Sequence, residues 1–178
     1  MRYSLTQRML HWGIAAIVIG ALAVGTLIGQ FGFQGLVDTF GQSTTNLIYK
    51  YHKTFGVIIL FAMVIRLLVR LQKGKPTYDP PISDFEAKAS RAAHGLLYVC
   101  LFLMPIFGWL GTGAGGFPVE FFNWTLPGIL SKDKALSDLL YQAHAITGWV
   151  LLGLIVIHIG AALKHTFVNK DTVLRRML

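Results

Sequence analysis

The sequence predicts an all-α integral membrane protein, a four-transmembrane-helix bundle with both termini cytoplasmic. Three observations carry that expectation. Of the 178 residues, 54% are hydrophobic and only 13% charged, and the mean hydropathy is +0.57, whereas a soluble domain is about a quarter charged. Four stretches are long enough to cross about 30 Å of hydrocarbon, which takes roughly 20 residues of helix. The basic residues also gather at alternate connections, as they do on the cytoplasmic side of membrane proteins.

The first span, residues 9–29, contains HWGIAAIVIGALAVGTLIG, and no charge falls between Arg8 and Asp38. It is too long and too evenly apolar for a signal peptide, and no A-x-A-like cleavage site stands out. The second, residues 47–69, is apolar from Thr54 to Ile65, with His52 and Lys53 at its start and Arg66 and Arg70 at its end. The third, residues 92–110, contains HGLLYVCLFLMPIFGWL, and Pro105 is expected to kink it near its far end. The fourth, residues 139–163, contains YQAHAITGWVLLGLIVIHIGAAL. Together they make one membrane domain over residues 1–178.

Orientation follows from charge. Arg2, Arg8, Arg66, Arg70, Lys73, Lys75, Lys88, Arg91, Lys164, Lys170, Arg175 and Arg176 fall on one side, 12 of the 16 basic residues. Lys50, Lys53, Lys132 and Lys134 fall on the other, and the first connection, Gln30 to Asn46, has no Lys or Arg. The positive-inside rule then places both termini in the cytoplasm. The net charge of +8 is thereby explained by topology, so the expected partner is the lipid bilayer, with no nucleic acid. The single cysteine, Cys100, excludes a disulfide framework and a Cys-ligated cluster within one chain. No C-x-x-C-H occurs, which excludes covalently attached c-type haem.

The connections differ in kind. KGKPTYDPPISDFEAK has the Pro, Asp and Lys of a solvated loop. The outer connection from Gly111 to Asp138 holds GTGAGG and FPVEFFNWTLPGIL. Its aromatics and prolines predict a segment lying on the membrane surface, with Trp124 and Phe122 as interfacial anchors.

Histidines are the chemistry-bearing residues. Ionisable groups inside spans usually face the bundle interior and have a function. His11 lies three residues inside Arg8 and His158 six before Lys164, about 4.5 Å and 9 Å from the inner boundary. His94 is also at the inner level, whereas His52 and His144 lie near the outer ends of their spans. His144 and His158 are 14 residues apart on one helix, a rise of about 21 Å and four turns less roughly 40°, so both leave the same face at opposite depths. Two stacked sites result, His144 with His52 outside and His158 with His11 inside, each suited to a bis-histidine haem in an apolar cleft. Gly56 and Gly148 follow the outer histidines by four residues, where the absence of a side chain would let a flat ring approach the backbone. His94 has three readings: a rival to His11, a wall of a quinone site, or a bond to a propionate or carbonyl. His165, beside Lys164, is expected to be solvated or lipid-facing.

In this order, the opening His11–Trp12, the inner RLLVRL from Arg66, HGLLYVCLFLMPIFG, the outer EFFNWTLP, the His144–His158 interval and the closing KHTFVNKDTVLRRM resemble the prokaryotic cytochrome b561 proteins. These are four-helix dihaem membrane cytochromes related to the cytochrome b subunits of hydrogenases and formate dehydrogenases. The resemblance implies two non-covalent haems b, His11 and His158 holding the inner one and His52 and His144 the outer. No ligand comes from the third helix, which leaves His94 for the inner pocket. Some members look like superoxide oxidases of the plasma (inner) membrane, which pass an electron from superoxide through two haems to ubiquinone. The implied partners are a quinone and an outer-side small-molecule or protein electron donor. An anionic donor would need outer cations, and Lys50, Lys53, Lys132 and Lys134 are the ones present. By depth, propionates would meet Arg8, Arg66 or Arg70 inside and Lys50 or Lys53 outside. Rival functions are a cytochrome b subunit of a larger dehydrogenase or hydrogenase complex, a plain membrane anchor, and a histidine-based metal or proton transporter. A transporter would be expected to carry midplane carboxylates, and these spans have none.

Overall fold

A computed structural model describes residues 2–78 and 81–178. Four long helices account for most of the chain: α1 (Leu5–Phe40), α2 (Gln42–Lys73), α3 (Asp84–Ala114) and α4 (Lys134–Phe167). Each contains an 18-residue window of mean hydropathy between 1.8 and 2.2, enough to cross a membrane by length and composition. A short antiparallel hairpin, β1 (Val119–Phe121) and β2 (Trp124–Leu126), lies between α3 and α4, and a 3₁₀ turn, Leu174–Arg176, ends the chain.

The helix starts are set locally. Ser4 and Gln7 form a reciprocal capping box on α1, Ser83 and Glu86 form another on α3, and the Asp133 carboxylate accepts from the Leu136 amide at 3.0 Å on α4. Each satisfies amide donors that a helix start leaves bare. The first connection is not a loop. α1 continues to Phe40 through a break at Gly32 (φ 62°), and only Gly41 (φ 82°) separates it from α2. Both angles suit glycine, which has no Cβ to clash there. GTGAGG likewise belongs mostly to α3: Gly111, Thr112, Gly113 and Ala114 are its buried last turn. Their small size lets the backbones approach, so that a Cβ added at Gly113 would lie only 3.2 Å from the Gly128 Cα, and Ser137 Oγ donates to the Gly111 carbonyl at 2.8 Å. α3 also runs on through Pro105 to Ala114.

The hairpin is fastened to the start of α2. Thr54 is fully buried; its hydroxyl accepts from the Phe122 amide at 3.1 Å and donates to the Glu120 carbonyl at 3.4 Å. Trp124 and Phe122 remain exposed.

The opposite end gathers both termini. Gln7 donates to the Gly74 carbonyl at 2.9 Å, Tyr3 N to the Arg176 carbonyl at 3.0 Å, and Trp12 Nε1 to the Met177 carbonyl at 2.8 Å. Arg176 is buried between the rings of Tyr3 and Tyr78, 5.4 and 4.2 Å from their centroids, and donates to the Pro76 carbonyl. Lys164 pairs with Glu86 at 3.0 Å; the Lys164 and Ser83 hydrogen bonds hold that carboxyl at about 2. His165 is not solvated: Asp171 holds its Nδ1 at 2.5 Å, because the tail folds back under α4.

α3 packs along α4 and α1 along α2; the α2–α3 seam is looser, and α1 and α4 barely meet. The buried centre is a thin layer of Ile14, Val18, Ile59, Met63, Leu97, Cys100 and Leu151. Outward-facing Ile146, Trp149, Val156, Ile157 and Phe61 are more than half exposed, as expected where lipid rather than water surrounds the helices.

Candidate functional site

Two histidine pairs stand inside the bundle. At the hairpin end, His52 of α2 faces His144 of α4, ring centroids 6.1 Å apart and planes at 82°. At the termini end, His11 of α1 faces His158 of α4, again 6.1 Å apart, with planes at 78°. Two imidazoles binding one metal from opposite sides, at about 2.0–2.1 Å per bond and about 1.1 Å from nitrogen to ring centre, would stand about 6 Å apart. Both pairs have the spacing a bis-histidine iron requires.

The outer pair is walled by apolar groups and backstopped by glycine. A cavity of about 40 Å³ is lined by Val18, Leu22, Gly56, Ile59, Met104 and Leu151 together with the two imidazoles. A Cβ on Gly25 would lie 3.1 Å from His52 Cε1, and one on Gly108 would lie 3.1 Å from His144 Nδ1. The His144 Nδ1–H donates to the Met104 carbonyl at 2.7 Å, which fixes the ring and turns Nε2 toward a ligand role. His52 Nδ1 is buried without a partner among the described residues. Of the two glycines singled out by spacing, Gly56 lines the gap; Gly148 instead faces Met104, whose Cε would lie 3.3 Å from an added Cβ.

The inner pair is more polar. His94 of α3 joins it, its ring 5.2 Å from that of His158 and its Nδ1–H donating to the Ser90 carbonyl at 2.6 Å. That separation is about 1 Å shorter than the bis-histidine spacing above. Arg66 Nη2 donates to His11 Nδ1 at 3.2 Å, and Arg66 Nε donates to the Tyr98 hydroxyl at 3.2 Å. Among the described residues, Arg66 Nη1 and Arg8 Nε are buried donors with no acceptor. Such orphans are costly unless something accepts from them, and a carboxylate, such as a haem propionate, is the strongest acceptor for a guanidinium. The spacing, the open α1–α4 side and these orphaned donors fit haem.

The remaining expected contacts are placed differently. Arg70 lies over the Tyr98 ring at 5.5 Å, on the α2–α3 side. Lys53 is held by Glu120 at 2.5 Å and the Pro118 carbonyl at 3.0 Å, Lys50 by Asn123 at 3.2 Å, and Lys134 by Asp138 at 2.6 Å.

One regularity was missed by reading histidines alone. The 14-residue interval of α4 recurs on every helix: His11 and Gly25, His52 and Arg66, His94 and Gly108, His144 and His158. Each helix thus contributes one group to each level, a ligand candidate, a backstop or a hydrogen-bond partner. Midway lie Val18, Ile59, Leu101 and Leu151, all facing the outer gap. Two heptads return a helix to nearly the same face, so the signal was present, but glycine and arginine do not announce themselves as neighbours of paired histidines.

The sequence profile of the prokaryotic cytochrome b561 family matches residues 2–178. The chain is similar to cytochrome b561 homolog 2 of Escherichia coli, with 33% identity covering 99% of this chain and 91% of that one. It is 26% identical to a probable superoxide oxidase, CybB, of Yersinia pestis, over 99% and 96% of the two chains. With a cytochrome b562 of Cereibacter sphaeroides it shares 24% identity over 99% and 94%.

Proposed function

The chain belongs to the prokaryotic cytochrome b561 family, and from that premise we propose that it holds two haems b and passes electrons across the plasma (inner) membrane, from an outer donor to quinone at the termini end. His52 and His144 hold the outer haem, and His11 and His158 the inner. The observation that carries this reading is the pair of 6.1 Å imidazole separations at two depths of one bundle. Bound haem b supplies reversible one-electron chemistry at each level.

The protein's own residues do the rest. The Met104 carbonyl sets the His144 tautomer, and Gly25 and Gly108 give the outer rings room to stand across the gap. At the inner level, Arg66 and Arg8, whose Nη1 and Nε are buried without an acceptor among the described residues, would hold the propionate carboxylates. Val18, Ile59, Leu101 and Leu151 exclude water between the levels. His94, fixed by Ser90, packs against His158 and is kept for the inner pocket.

Superoxide is the donor this reading favours, on the likeness to a probable superoxide oxidase. Two superoxide anions give up one electron each and leave as dioxygen, and one quinone takes both electrons and two protons. Among the described residues, Lys50 and Lys132 are the outer lysines without a carboxylate partner, so attraction of the anion rests on those two.

Haem quantification with a dithionite-reduced minus oxidised spectrum tests the haem reading. Two haems per chain with a b-type α-band are expected; none, or one, would overturn it. Superoxide-driven quinone reduction tests the donor, and a rate no faster than spontaneous dismutation would remove superoxide while leaving the electron carrier.

A further inference from the structure

The looser α2–α3 seam holds a second, larger cleft at the termini end, about 520 Å³ in volume. Its wall is graded along the membrane normal. Arg91, His94 and Arg70 lie toward the end, Tyr98 beyond them, and Phe102 and Leu103 deepest. From Arg91 to Leu103 is 12 residues of α3, about 18 Å of rise, close to one leaflet's share of a hydrocarbon core about 30 Å thick. Among the described residues neither guanidinium has a carboxylate partner, and the cleft wall contains no acid. The Tyr98 hydroxyl accepts from Arg66 Nε at 3.2 Å, so its own hydrogen is free to donate.

We propose that this cleft binds one anionic phospholipid. The phosphodiester sits between Arg70, Arg91 and the Tyr98 hydroxyl, and an acyl chain runs along Val99, Phe102 and Leu103. Charge complementarity decides the occupant. Two uncompensated guanidiniums at the base of a leaflet call for an anion, and planar guanidinium forks match phosphate oxygens. A neutral quinone head would leave both charges unbalanced, and a free phosphate would leave the apolar depth empty. Basic pockets between helices on the cytoplasmic side are where anionic lipid headgroups bind. The lipid closes the thin α2–α3 seam, and this holds whichever donor and acceptor the haems serve.

The test uses the haem-loaded full chain in detergent, whose propionates are already in place. Native mass spectrometry and thermal melting are read with phosphatidylglycerol, with phosphatidylcholine of the same chains, with inorganic phosphate and with ubiquinone. One phosphatidylglycerol per chain is expected to survive and raise the melting temperature. Affinity should fall about tenfold or more in Arg70→Gln/Arg91→Gln and stay unchanged in Lys88→Gln/Arg175→Gln, which removes the same charge from exposed positions of the same end. Gly95→Leu gives an independent arm should the arginine variant fail to accumulate. Gly95 lines the cleft, and an added Cβ there meets no atom within 4 Å, so the side chain fills the cleft with both charges kept and should also abolish retention. Equal retention of phosphatidylcholine, equal loss in the Lys88/Arg175 control, competition by phosphate alone, or stoichiometric displacement by ubiquinone would each overturn the proposal.

Discussion

The two histidine levels share a 6.1 Å ring separation and differ in almost everything around it. The outer pair is held by backbone: a carbonyl on one imidazole and bare glycines behind both. The inner pair is held by side chains, with a third imidazole, a guanidinium and two orphaned buried donors. Their covers differ as well, a hairpin clamped to Thr54 at one end and the folded-back tail with Arg176 at the other. Charge separates them further. The hairpin end has four lysines against Asp38, Glu120, Asp133 and Asp138, so it is neutral, and the chain's net +8 belongs to the termini end. One ligand geometry therefore sits in an apolar, rigid setting and again in a polar, cationic one. Two identical ligand sets can be tuned to different potentials in this way, since burial, charge and hydrogen bonding around the ligands are what shift them.

The sharpest way to break the comparison is to delete one level. His144→Ala should lower the haem content from about two to about one per chain and leave the inner spectrum, while His158→Ala should do the reverse. Loss of the inner haem in His144→Ala would contradict the pairing. Next in size is the layer that both levels share. Leu151, 1% exposed, lies midway between His144 and His158 of α4, and Leu151→Ala should cost about 2–5 kcal/mol, read as a lower unfolding midpoint with the haem content unchanged. A smaller, one-sided effect is expected from Gly108→Val. The branched side chain must displace His144, a strain of about 1–3 kcal/mol, and haem titration should show weakened outer binding with inner binding untouched.

Arg66→Gln probes the other side without removing a ligand. A guanidinium beside the inner pair favours the electron-rich reduced form, so its loss should lower the inner midpoint potential in a redox titration and leave the outer one in place. The mildest prediction concerns the tail clasp. Lys164 and Ser83 hold Glu86 at about 2, below the 4.5 of a free carboxyl. Its contribution is thus fully present above about 4.5 and is lost as pH falls toward 2. Limited proteolysis at the termini end should accelerate over that range in the wild type, and Glu86→Gln should flatten the profile.

Much of this molecule was legible because the bilayer simplifies the code. Apolar length marks a crossing, and an ionisable group within one stands out against it. His144 and His158 were therefore readable as two depths on one face. What escaped was whatever lacks a chemical label. Gly25 and Gly108 look like ordinary helix glycines, and Gly148 looked like a pocket residue, because only the partner helix decides what an absent side chain makes room for. Gln30 to Asn46 read as the connection between the first two spans, but the helix persists there, broken only where Gly32 and Gly41 take positive φ. Lys53 read as a free outer cation until the hairpin brought Glu120 to 2.5 Å, a contact between residues 67 positions apart. His165 read as solvated until the tail returned Asp171 to it.

By itself, then, the sequence determined the membrane class, the four crossings, the alternation of charge and the two histidine depths. All of these are one-dimensional quantities, fixed by length, hydropathy and the 3.6-residue turn. Tertiary structure decided which histidines face one another, that α1 and α4 stay apart where a flat ring would enter, and that the cations of the hairpin end are neutralised while those of the termini end are not. Those are questions of which helix lies beside which, and in a bundle held by close packing rather than by water's exclusion, that is settled by the fit of surfaces distant in sequence.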